Sequence, residues 1–216
     1  MNRREMRQRV GFLLMASACA ALASCIPAKE PLSDALKSDT DKDLIGIWAM
    51  EMDDHTRFMV IGRHELAPDK ADKTLPRGLM SYRQFTLTKD GKLGPGAGGG
   101  VFFVSRIEGE NYANVFGDNT VQEAQKQGAW GYSPDTLFFA VKYRVEKTTL
   151  TIYYPDGDRV KAAINKGAIK GAIRGDDVEM AGGTALADYL ATEGGKSLFP
   201  EKSAETWQRA KVVPLK

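Results

Sequence analysis

Cysteine is almost missing from this chain: of 216 residues only Cys19 and Cys25 carry a thiol. A framework of several disulfides is excluded, so the fold must rest on its apolar core. Histidine is as scarce, with His55 and His64 alone, and few ligands are left for a transition-metal centre. Charge of one sign is not in excess, since 30 basic residues face 28 acidic ones. Nothing in that balance suggests the basic footprint of a nucleic-acid binder. Long apolar runs are missing too: Val10–Leu22 is free of charge but falls short of the roughly 20 residues that a membrane-spanning helix needs. No Ser stands in a Gly-x-Ser-x-Gly elbow, and no fixed-period repeat runs through the chain.

What is present at the start is ordered like an export signal. Arg3, Arg4, Arg7 and Arg9 form a basic head, Val10–Leu22 an apolar middle, and Ala23-Ser24 a small-residue step into Cys25. Leu22-Ala23-Ser24-Cys25 resembles the lipobox of bacterial lipoproteins. That resemblance implies that the Cys25 thiol is diacylglycerylated, that residues 1–24 are removed, and that the new N-terminus is acylated, with palmitate as the expected chain type. It also implies an envelope address. Ile26, standing where an Asp would retain the protein at the inner membrane of enterobacteria, favours the outer membrane, with the domain in the periplasm. Removal of residues 1–24 leaves 26 basic and 27 acidic residues and Cys25 as the one cysteine. With its sulfur lipidated, no disulfide forms within the mature chain.

Residues 25–42 contain two prolines, Pro27 and Pro31, and a cluster of Ser, Asp and Lys. They read as a lipidated N-terminus and flexible tether. The folded domain is expected over 43–216, one domain of ordinary size. It opens with Ile45, Ile47 and Ala49 alternating with Gly46, Trp48 and Met50, the period of a strand. Further strands are expected at Arg57–Arg63, Ser81–Lys89, Val101–Ile107, Tyr112–Phe116, Thr136–Glu146 and Thr149–Tyr154. Thr136–Glu146 reads as one-sided, with Leu137, Phe139, Val141, Tyr143 and Val145 on the apolar face. Short strands joined by Gly- and Asp-containing turns point to an antiparallel barrel or sandwich.

Gly46-Ile47-Trp48 resembles the Gly-x-Trp motif that opens lipocalins and related calycins. In those folds the first and last strands meet and an Arg of the last strand packs on the Trp. The last strand here is expected at Trp207–Val213, which makes Trp48 and Arg209 the structural pair the resemblance implies. The expected fold class is mainly β, an antiparallel barrel or half-barrel meander of calycin-like type with one or two short helices near the C-terminus. One helix is expected at Thr184–Thr192, followed by Gly194. Residues 158–167 read two ways: a strand returning after Pro155-Asp156-Gly157-Asp158, or a helix capped by Asp158 and Gly167. The two caps and the Ala and Lys content favour the helix. Ile169–Arg174 and Asp177–Ala181 read as a hairpin across Gly175-Asp176. The run of short helix, Leu-Phe-Pro segment and Arg-bearing strand also resembles uncharacterised calycin-like bacterial lipoproteins.

Candidate chemistry is sparse. His55 and His64 stand nine positions apart and fall on opposite faces of one strand, so they read as solvated strand ends and no metal is expected. Gly194-Gly195-Lys196-Ser197 mimics the end of a P-loop, but Leu190 stands where its first glycine belongs and a helix precedes it. The glycine-rich run Gly91–Gly100 reads as a hairpin loop at a barrel mouth. No residue pattern signals catalysis, a cofactor or a nucleic-acid partner. Phe102, Phe103, Phe138, Phe139, Tyr143, Tyr153 and Tyr154 lie on expected strands and either line a ligand cavity or fill a solid core. Two functions follow: a membrane-anchored protein holding a lipid or other small apolar ligand, or an envelope interaction protein with a solid barrel.

Overall fold

The computed structural model of the chain describes residues 26–64, 76–94, 98–117, 131–132 and 135–211. Cys25 and the signal segment lie outside the described residues, as does Val213 at the end of the expected last strand. In chain order the elements are β1 (Pro27–Glu30), β2 (Gly46–Glu51), β3 (His55–Arg63), β4 (Met80–Thr88), β5 (Gly98–Ile107), β6 (Glu110–Phe116), β7 (Phe138–Glu146) and β8 (Thr149–Tyr153). They continue with α1 (Gly157–Asn165), β9 (Gly171–Arg174), β10 (Asp177–Gly182), α2 (Gly183–Leu190), the single turn α3 (Glu193–Lys196) and β11 (Ala204–Arg209).

Strands β2 to β8 follow one another around a closed antiparallel barrel, and β11 fills the gap between β8 and β2. Mainly β, antiparallel and calycin-like, the domain matches the fold class expected from alternation and turn spacing. Among the described residues it carries three short α-helices, all after β8 toward the C-terminus. The register sets the faces. Opposite residues in a ladder point the same way, so Trp48, Met59, Gln84, Phe102, Ala113, Tyr143, Leu150 and Trp207 all point inward.

A second layer covers half of the barrel from outside. β1 pairs with the start of β7, on the edge that β8 occupies farther along, and carries β10 and β9 beyond it. Helices α1 and α2 pack on this small sheet. Ile26, Leu32, Val160, Met180, Leu186 and Leu198 meet there with Tyr112, Ala140 and Tyr153 from the outer face of the barrel. A smaller aromatic cluster joins Ala35 and Leu79 to Phe103, Phe116 and Phe138.

Two expectations fail here for one reason. Residues 26–42 are not a tether: Ile26, Ala28, Leu32 and Ala35 are all buried. Full burial of an Ile or Leu side chain contributes roughly 1.5–3 kcal/mol, and the ladders that β1 makes with β7 and β10 add to it against the cost of ordering the segment. Buried Asn114 secures the crossing, its Oδ1 accepting from Leu32 N at 2.7 Å and its Nδ2 donating to Ser105 Oγ at 2.8 Å. Nor is β7 one-sided, because Phe138, Ala140 and Lys142 on its outer face are buried under the second layer. Lys142 lies there with its ammonium 3.0 Å from Glu110. The last strand begins at Ala204, three residues before the expected Trp207. The segment 158–167 is the helix α1, with Asp156 as its N-cap in place of Asp158.

Candidate functional site in the barrel

One end of the barrel is shut by the residues of the Gly-x-Trp motif. Arg209 stands opposite Trp48 in the β11–β2 ladder, and its Cζ lies 4.2 Å from the centroid of the Trp48 ring. The guanidinium also donates to the carbonyls of Ile45 and Asp43, while Trp48 Nε1 donates to Leu44 O at 2.8 Å. Gly46 is required beneath this fork: a Cβ there would stand 2.6 Å from Arg209 Nη1, and its φ is +149°. Tyr143 reaches the same end from β7, donating its hydroxyl to Asp41 at 2.6 Å. Burial first, and then this bond, push the Tyr143 hydroxyl well above its usual pKa.

Above that plug the interior is solid for one layer. Trp48, Trp207, Met80 and Leu150 have 0% of their surface exposed, so no water-sized void touches them. Toward the other end, inward-facing Tyr82, Val115, Phe139, Val141 and Ile152 keep part of their surface. These partly buried side chains ring the barrel mouth, here called the cup. Gly98 faces into it from β5 without a side chain, and a Cβ there would meet nothing within 4 Å, whereas a Cβ at Gly100 would stand 3.1 Å from the Tyr82 ring.

One side of the cup is polar. Arg57 Nη1 lies 3.1 Å from Glu205 Oε1, and Arg57 Nη2 donates to Gln84 Oε1 at 3.3 Å. Tyr154 donates its hydroxyl to Glu205 Oε2 at 3.0 Å. The guanidinium rests 5.1 Å above the Trp207 ring. Trp207 Nε1 is buried without a hydrogen-bond partner among the described residues. The sequence reading missed this quartet. Arg57 falls on the inward phase of its expected strand, but Glu205 precedes the expected last strand at Trp207 and joins β11 only because that strand begins at Ala204.

Other expected features lie elsewhere. Tyr153 points outward into the second layer, and Phe103 and Phe138 point outward into the aromatic cluster with Ala35 and Leu79. His55 is inward at the rim, its Nδ1 2.5 Å from Asp54, and that bond holds the Asp54 carboxyl below its ordinary pKa. His64 follows the opposite end of β3. Among the described residues no three His, Cys, Asp or Glu side chains converge as metal ligands. Gly194-Gly195-Lys196-Ser197 winds through α3, whose first turn is capped by Thr192. Gly98–Gly100 form the start of β5, while residues 95–97 of the expected loop lie outside the described residues. A cleft of about 250 Å³ beside α2 is lined by Glu30, Lys170 and Thr184, with the Glu30 carboxylate set against Gly183 in the first turn of that helix.

The outer wall of β2, β3 and β4 has no described element over it. Its outward row joins Ile47 to Val60 and Ala49 to Phe58 and Phe85. The Phe58 and Phe85 rings stack at 5.2 Å, and Leu93, 73% exposed, pairs with Leu87 beside them. The chain matches no known family model, no curated protein and no solved structure.

Proposed function

We propose that this chain is a lipid-anchored envelope lipoprotein whose calycin-like barrel holds a small, largely apolar ligand at its open end. The observation that carries the ligand reading is the partly exposed inward ring of Tyr82, Val115, Phe139, Val141 and Ile152 above a solid floor. Ligand sites are mostly apolar with a few placed polar groups, and Arg57, Glu205 and Gln84 supply those groups on one side. A lipid or similar molecule with a short polar head fits that chemistry. The shallow cup would take one end of such a ligand, since Trp207 and Met80 leave no space below it.

Native mass spectrometry of protein extracted in mild detergent, and titration with an apolar fluorophore, test the reading. Binding should be saturable and should fall at least about tenfold when Val141→Trp fills the cup, a loss worth 1.4 kcal/mol. A Val141→Trp variant that folds and binds unchanged would sink it. The address rests on Leu22-Ala23-Ser24-Cys25 and on Ile26, which favours the outer membrane. Cys25→Ser should abolish acylation of the mature N-terminus, as read by intact mass.

A second reading is favoured by the stacked Phe58 and Phe85 on the uncovered outer wall. There the barrel is a platform that docks an envelope protein: Phe58 and Phe85 keep part of their surface, Val60 and Leu93 beside them are exposed, and a contiguous apolar patch is the usual mark of such a site. Phe58→Asp should abolish capture of that partner while leaving fluorophore binding in the cup intact.

A further inference from the structure

Resting on the lipoprotein reading above, we propose that the anchor has no spacer and that the domain sits flush on the phospholipid bilayer at the β1 end of its second layer. Ile26, the residue next to the lipidated position, is 5% exposed, and β1 starts one residue later between β7 and β10. Consecutive Cα atoms are about 3.8 Å apart, so a lipid on residue 25 brings the headgroup layer against whatever surrounds Ile26. The register identifies that surface. Ala28 stands beside Met180 in a parallel pair, which sets Ile26 level with Val178. The Gly175-Asp176 turn between β9 and β10 is therefore the end of the sheet from which the chain enters. Its neighbours Arg174, Asp177 and Lys161 are polar and suited to headgroups. Lys161 contacts Asp176 at 3.8 Å.

The same arrangement aims the rest of the molecule. Around the barrel β3 is separated from β7 by three strands in each direction. The outer wall that carries Phe58, Val60 and Phe85 is thus on the far side of the barrel from the edge that β1 joins.

The test uses the acylated full chain in vesicles of phosphatidylethanolamine and phosphatidylglycerol. Asp176→Cys and Thr184→Cys each provide a single thiol for a donor dye, with acceptor lipids in the bilayer. Energy transfer should be strong from position 176 and weaker from position 184, since β10 (Asp177–Gly182) separates the two by roughly 20 Å at about 3.3 Å per residue. A flexible Gly-Ser spacer inserted before Ile26 should erase the difference. Trypsin should fail to release the domain, although Lys29 is 60% and Lys37 85% exposed, because a fixed strand cannot enter the protease. Equal transfer from both positions without the spacer, or rapid release by cutting at Lys29, Lys37 or Lys42, would overturn the proposal. Absence of an acyl mass at Cys25 would instead remove the lipoprotein reading on which it stands.

Discussion

Arg209 does two things at once, and its two roles separate in measurement. It donates to two backbone carbonyls and covers the Trp48 ring at 4.2 Å. Arg209→Ala should cost more than the cation–π contact alone, since hydrogen bonds to charged groups contribute roughly 1.5–3 kcal/mol. The coupling between Trp48→Leu and Arg209→Ala in a double-mutant cycle should be about 0.5–2 kcal/mol. Purely additive losses would mean that the ring and the cation stabilise the barrel independently. Tyr112 offers the opposite sign. Its hydroxyl is buried without a partner among the described residues, and burial, with Glu110 second, pushes its pKa up to about 12. Because this exceeds the unfolded value of about 10, full stability is kept below pH 10, where the hydroxyl is neutral in both states, and it falls as pH rises from 10 through 12. Tyr112→Phe should be neutral or stabilising, by up to about 1 kcal/mol, and should flatten the alkaline limb of the stability curve. Urea titrations at neutral and alkaline pH measure both effects, and a destabilised Tyr112→Phe would reveal a partner for the hydroxyl.

Among the elements, α1 shows most clearly how local chemistry decides. Asp156 caps its first turn by accepting from Arg159 N at 3.1 Å. At the other end Gly167 N donates to Ile164 O and Ala168 N to Ala163 O, both at 2.9 Å, the paired bonds of a Schellman ending. Gly167 holds φ +68°, which an L side chain adopts at a cost. Gly167→Ala should destabilise by about 1 kcal/mol, and Asp156→Ala by about 1 kcal/mol through the lost cap. Thermal denaturation would register each, and an unchanged midpoint for Gly167→Ala would show that the ending is not strained. The Asp156 carboxyl is held below its ordinary pKa, first by Lys202. Its contribution is therefore present above the unfolded carboxylate pKa, near 4, and fades as pH falls through the lower folded value. This helix was legible because caps are short-range signals, although the cap was misplaced by two residues from Asp158.

At the scale of the whole molecule, the belt formed by residues 26–42 ties the barrel to its second layer. A chain beginning at Asp43 should lose several kcal/mol, since burial of Ile26 and Leu32 alone contributes about 3–6 kcal/mol. It should also expose Tyr112, Ala140 and Tyr153 and bind an apolar dye on its outer wall. Unaltered unfolding would show that the belt only rides on the surface. The sequence by itself determined the β class, most strand positions, the Gly46–Trp48 opening with its Arg209 counterpart, and the helix between two caps. Each of these is written in periods of two, in turn residues or in a short motif, all of which act over a few positions. Only the tertiary structure decided that β1 joins the edge of β7, that both faces of β7 are buried, and that Arg57 meets Glu205 across the mouth. Those outcomes depend on partners separated by tens to more than a hundred residues. A polar-looking segment such as 26–42 becomes part of the core only because distant strands leave apolar sites that its few apolar side chains fill.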